Sequence, residues 1–136
     1  MLTFIRGLAL SAVVAVLAGC GGGASPAKGG TPGTLTFGSN VSSDIRVTIH
    51  RSVADGFEIL GFANTAADGT FVLYNSEATE PLWLETGDYA FTLESVGPPV
   101  EFPEEFSRPE STPLKITWES DMSSIRLDAP PELLIE

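Results

Sequence analysis

From Thr34 to Leu127 the chain alternates apolar and polar side chains in short runs, the period-two signature of strands that bury one face. The clearest run is Ile45-Arg46-Val47-Thr48-Ile49-His50, which places Ile45, Val47 and Ile49 on one face and Arg46, Thr48 and His50 on the other, toward solvent. Leu35 and Phe37 alternate with Thr34 and Thr36 ahead of the turn residues Gly38-Ser39-Asn40. A less regular strand covers Phe57 to Thr65. Ala67-Asp68-Gly69 then predicts a tight turn that makes a hairpin with Thr70-Phe71-Val72-Leu73-Tyr74. After Gly87-Asp88, Tyr89, Phe91 and Leu93 share a face. Leu114 to Trp118 and Ser124 to Leu127 are the last two strands, around a turn at Glu119-Ser120-Asp121.

Seven short strands with turn signals about every 8–12 residues predict an all-β fold, an antiparallel seven-stranded β-sandwich over residues 34–129. The expected core is Leu35, Ile45, Val47, Ile49, Phe71, Leu73, Phe91, Leu93, Ile116 and Ile125. Pro130 and Pro131 cannot continue a central strand, so residues 130–136 are expected to form a loosely held tail.

The first residues follow another pattern. A short start bearing Arg6 leads into an apolar run from Leu8 to Leu17, followed by small residues, which is the layout of an export signal. The run is too short to span a bilayer, which takes about 20 apolar residues. It is also apolar all round, unlike a core helix with one buried face. It ends on Leu17-Ala18-Gly19-Cys20, and Cys20 is the only cysteine of the chain.

That order, directly after a signal core, resembles the lipobox of bacterial lipoproteins. The resemblance implies that residues 1–19 are a signal peptide removed on processing. It also implies that Cys20 takes a diacylglyceryl thioether and an acyl group on its amine, so that membrane lipid is a partner of the protein. Each buried methylene adds about 0.8 kcal/mol of membrane affinity, so several chains on one residue make a stable anchor. With its thiol used in this way, Cys20 offers neither a disulfide nor a nucleophile. By the sorting rule of well-studied Gram-negative cells, Gly21 rather than Asp after the cysteine points to the outer membrane or cell surface. Residues 20–33 then read as the lipidated cysteine and a Gly-rich tether, with no large apolar side chain and Lys28 as its one charge.

Charge narrows the partners. From Cys20 onward six basic residues face eighteen acidic ones, a net charge near −12. A nucleic-acid binder needs a basic surface to displace counterions, and this chain has no Lys/Arg cluster, so no nucleic acid is expected. The same charge repels anionic headgroups, so the domain is expected to stand off the membrane.

Candidate chemistry is sparse, and neither catalytic residues nor cofactors are expected. His50 is the only histidine, and a triad would join it to Ser42, Ser43 or Ser52 and to Asp44 without any nucleophile-elbow motif. The carboxylate pairs Glu85/Asp88 and Glu104/Glu105 lie in turn-like segments, where neither member is desolvated as acid/base work requires. Asp55, Asp68, Glu77 and Glu80 follow no calcium-loop spacing, and no metal ligands are assigned. Tyr74, Trp83 and Trp118 could form an aromatic surface for glycan or pack against the sheets.

The segment Val96 to Pro113 is the most unusual, with five prolines, Phe102 and Phe106, and Glu101, Glu104, Glu105 and Glu110. Prolines stiffen it toward extended backbone and lower the entropy lost on docking. As a partner loop it would use Phe102 and Phe106 as anchors, while Glu104 and Glu105 select a basic surface on an envelope protein. As a crossover loop it would cover the core edge with the same phenylalanines.

The order Gly33-Thr34-Leu35-Thr36, Ile45-Arg46-Val47-Thr48-Ile49, Ala67-Asp68-Gly69-Thr70-Phe71-Val72-Leu73 and Thr86-Gly87-Asp88-Tyr89-Ala90-Phe91-Thr92-Leu93 resembles the carboxypeptidase regulatory-like, transthyretin-like sandwich (the Ig-like prealbumin type). The run Pro103 to Thr117 is similar to a proline-punctuated segment of planctomycete-type lipoproteins with this domain. The resemblance implies a non-enzymatic accessory, adhesive or scaffolding module. Two function classes follow: a membrane-tethered interaction or structural module of the cell envelope, or an envelope binding protein for a small molecule, glycan or metal ion.

Overall fold

A computed structural model describes residues 29–134. The segment expected to be a signal, the lipobox-like residues Leu17, Ala18, Gly19 and Cys20, the first part of the expected tether and the last two residues lie outside the described residues. Eight strands form: β1 (Pro32–Phe37), β2 (Ile45–Val53), β3 (Gly56–Asn64), β4 (Thr70–Val72), β5 (Tyr74–Asn75), β6 (Gly87–Ser95), β7 (Lys115–Trp118) and β8 (Ile125–Ala129). They make a three-stranded sheet in the order β4-β1-β8 and a five-stranded sheet in the order β5-β3-β2-β6-β7.

Alternation explains the core. In β2 the residues Ile45, Val47 and Ile49 are fully buried, as are Leu35 and Phe37 in β1. Tyr89, Phe91 and Leu93 turn inward from β6, while Ile125, Leu127 and Ala129 do so from β8. Side chains of both sheets join one hydrophobic cluster. Nine of the ten expected core residues are buried, and Ile116 is half-buried against the cluster.

Three features differ from the expected topology. First, β1 and β8 run parallel, with Gly33 opposite Ile125 and Phe37 opposite Ala129; the other pairings are antiparallel. Second, the turn at Ala67-Asp68-Gly69 forms, with Gly69 at φ +83° and its N–H donating to the Ala66 carbonyl at 2.9 Å, but it makes no hairpin. The strand before it, β3, pairs with β2 and β5, whereas β4 pairs with β1, so this turn carries the chain from one sheet to the other. Third, the expected single strand Thr70 to Tyr74 is split at Leu73. There the chain returns to the five-stranded sheet, and the fully buried Leu73 takes part in hydrogen bonds with Gly30, Thr31 and Leu82.

The two ends of the chain are held more firmly than composition suggests. Gly30 donates to the Leu73 carbonyl and Thr31 to the Leu82 carbonyl, both at 3.0 Å, so the last residues assigned to the tether already belong to the fold. A Cβ on Gly30 would lie 2.1 Å from the Leu82 carbonyl oxygen, which restricts that position to glycine. At the other terminus Pro131–Leu134 form a 3-10 turn, and Leu133 and Leu134 pack against the core. The tail is therefore not loose as far as Leu134.

Candidate functional site

The register fixes which loops share an end of the molecule. Gly87 at the start of β6 lies opposite Trp118 at the end of β7, and Arg51 near the end of β2 lies opposite Tyr89. The β2–β3 hairpin, the stretch before β6, the β7–β8 turn and the entry into β1 therefore gather at one end, here termed the entry end. The β1–β2 turn, the end of β6 and the 3-10 turn after β8 gather at the other, far end.

At the entry end a solvent-open cleft of about 630 Å³ is lined by Thr31, Trp83, Glu85, Trp118, Ser120 and Met122, among others. One wall is a short extended stretch. The Leu84 N–H donates to the Thr31 hydroxyl at 2.9 Å, and the Tyr89 hydroxyl donates to the Glu85 carbonyl at 2.6 Å. Within it Leu82 and Leu84 pack against the core, whereas Trp83 between them is 64% exposed. The opposite wall is the β7–β8 turn, closed by the Met122 N–H donating to the Glu119 carbonyl at 3.0 Å. Of the aromatic set considered for glycan, Trp83 and Trp118 meet at this cleft, Trp118 being otherwise buried; half-buried Tyr74 is in β5 and does not line it.

The Val96 to Pro113 segment closes the far end. Strand β6 spans nine residues but β7 covers only its first four, Gly87 to Ala90. The rest of that edge is met by the segment and the residue that follows it. The Phe91 N–H donates to the Leu114 carbonyl at 2.8 Å, and the Thr112 hydroxyl donates to the Phe91 carbonyl at 2.7 Å. Phe106, in a 3-10 turn of Glu104–Ser107, is 2% exposed and belongs to the core. Phe102 is half-buried and stacks on Phe37, centroids 6.0 Å apart and rings 4° from parallel. Phe106 therefore has no surface left with which to anchor a partner. The exposed side chains of the segment include Glu101, Glu104, Glu105 and Glu110, with Arg108 paired to Glu104, and Val96 at its start.

His50 departs from its expected exposure. Alternation does put it on the face opposite Ile49, but it is only 6% exposed, and its Nε2 lies 2.9 Å from the hydroxyl of buried Thr92. Lys115 reaches to within 5.9 Å of the Phe57 ring on the same side of the sheet. Burial lowers the imidazole pKa below its ordinary value, and the charge of Glu110 opposes this. Its partner is thus Thr92, not Ser42, Ser43, Ser52 or Asp44.

The carboxylates do not converge either. Asp68 accepts from the N–H and the hydroxyl of Thr70, which hold its carboxyl below the usual range and occupy it in its own turn. Asp88 accepts from the Thr117 hydroxyl at 2.7 Å. Among the described residues no group of three or more His, Cys, Asp or Glu side chains is placed to hold a metal ion, and no helix is long and apolar enough to cross a membrane. The sequence singled out Trp83 and Trp118 as candidates for an aromatic surface but not the other lining residues of the entry-end cleft, which are scattered from Thr31 to Ser123. The one available signal was the pattern Leu82-Trp83-Leu84, which sets a tryptophan between two inward-facing leucines. No protein-family model, curated protein or solved structure matches this chain.

Proposed function

We propose that the protein is a lipid-anchored, non-enzymatic interaction or structural module of the bacterial cell envelope, built on a transthyretin-like β-sandwich. The observation that carries this reading is the run Leu17-Ala18-Gly19-Cys20, set directly after an export-type apolar segment and containing the only cysteine. Two sheets sharing one core, with the chain passing repeatedly between them, support the sandwich. The partner-facing surface is the glutamate-rich outer side of the Val96 to Pro113 segment, whose backbone is already ordered by Phe102, Phe106 and Thr112 and so loses little entropy on docking. Carboxylates at such a rim favour a basic partner and act chiefly on its association rate. Crosslinking in the native envelope followed by mass spectrometry tests the proposal. A reproducible protein neighbour crosslinked near Glu104 or Glu105 supports it, and recovery of no protein neighbour contradicts it.

A second reading, binding of a small molecule or glycan, is favoured by one observation. Trp83 stands exposed beside a cleft that Trp118 also lines, together with the hydroxyls of Ser120 and Ser123. An aromatic face with polar groups around it suits a sugar ring. Titrating soluble envelope glycans against tryptophan emission separates the two readings: a saturable change lost in Trp83→Ala favours binding, and a flat response removes it.

A further inference from the structure

We propose that the entry end docks on the bilayer that carries the anchor, with Trp83 seated at the headgroup level of electrically neutral lipid. The inference rests on the lipid-anchor reading and goes beyond it. Its first ground is reach. Cys20 precedes Gly29 by nine residues, which span about 30 Å even when fully extended at about 3.3–3.6 Å per residue. Gly30 and Thr31 are then fixed to Leu73 and Leu82, so the chain enters the domain beside the Trp83 cleft and not at the far end. An acylated Cys20 therefore holds this end within a few nanometres of lipid, whichever way the domain turns.

The second ground is the surface presented there. Trp83 is the one aromatic side chain among the exposed large hydrophobic residues described, and its ring is directed away from a core that Leu82 and Leu84 both reach. Met122, across the cleft, is 36% exposed. By the register that sets Arg51 opposite Tyr89, exposed Val53 at the hairpin lies level with Gly87 at the same end. A tryptophan with an apolar ring and one N–H donor is the side chain best suited to a membrane–water interface.

Charge selects the lipid. Glu85, Glu119, Asp121 and Asp55 are exposed around these side chains. They oppose contact with anionic headgroups and keep insertion shallow. The expectation that an acidic domain stands off the membrane thus holds for an anionic surface and is relaxed for a neutral one.

The test uses the mature protein purified from the envelope, its Cys20 checked for lipid by intact mass, and reconstituted in phosphatidylcholine vesicles, with and without brominated acyl chains, after vesicle flotation. Docking predicts a shift of tryptophan emission to shorter wavelength on reconstitution, loss of emission to brominated lipid, and protection from an aqueous quencher. All three effects should disappear in Trp83→Phe, because Trp118 is buried within the fold. They should weaken when the vesicles contain anionic phosphatidylglycerol. Protein that floats with the vesicles while Trp83 stays fully open to the aqueous quencher overturns the docking and leaves the anchor reading intact. Protein that does not float and carries no lipid on Cys20 overturns both.

Discussion

The two ends of the domain treat their aromatic side chains in opposite ways. At the far end the Val96 to Pro113 segment turns Phe106 into the core and lays Phe102 on Phe37, leaving glutamates outside. At the entry end the stretch before β6 sends Leu82 and Leu84 inward and leaves Trp83 in water. The contrast separates stability from recognition. An aromatic residue that fills the core contributes to folding, whereas one held outside by a fixed backbone is free to bind.

Substitutions at the two ends should differ most at the aromatic side chains themselves. Phe106→Ala removes a buried ring and is expected to cost about 3–5 kcal/mol in urea unfolding. Trp83→Ala should change the same unfolding free energy by no more than about 0.5 kcal/mol, as at other exposed positions. Equal losses at the two sites would remove the distinction. Thr112→Val keeps the shape but deletes the hydroxyl that donates to Phe91 and accepts from Leu114 at 3.2 Å. It should cost about 1–3 kcal/mol through the buried polar groups left unpaired.

A smaller effect concerns His50, which lies between the two ends in β2. Burial depresses its folded pKa, so the unfolded chain takes up the proton first as the pH falls. The stability this residue supports is complete above its ordinary pKa of about 6.5 and declines as the pH drops below that value. Unfolding measured between pH 8 and pH 5 should show a decline that is shallower in His50→Gln. An identical slope in the variant would assign the decline to other groups. Glu104→Ala, which breaks only the exposed pair with Arg108, should likewise shift stability little, by about 0–1 kcal/mol.

The strands were legible because one buried face imposes a period of two, and Ile45, Val47, Ile49, Phe91 and Leu93 are buried as that period requires. The sheet to which each strand belongs was not legible. Asp68-Gly69 encodes a reversal of the chain, but whether β4 then pairs with β3 or with β1 depends on contacts distant in sequence, such as Gly33 with Phe71. The parallel β1–β8 pair and the split at Leu73 have the same origin. For His50 alternation predicted the correct face, but burial of that face depends on tertiary surroundings such as Thr92, which the period does not encode. The Val96 to Pro113 segment has no period, so the inward direction of Phe106 emerged only from the structure. At the candidate site, Trp83 and Trp118 are 35 residues apart in sequence and meet only through the Gly87–Trp118 register.

Attachment through Cys20, as proposed, can be read from the intact mass and N-terminal sequence of the mature protein isolated from bacterial membranes. A chain that begins at Cys20 and carries a diacylglyceryl thioether with an acylated amine is the predicted result, with Cys20→Ser released from the membrane or left unprocessed. A mature chain that retains residues before Cys20, or one that begins there with a free thiol, would contradict it.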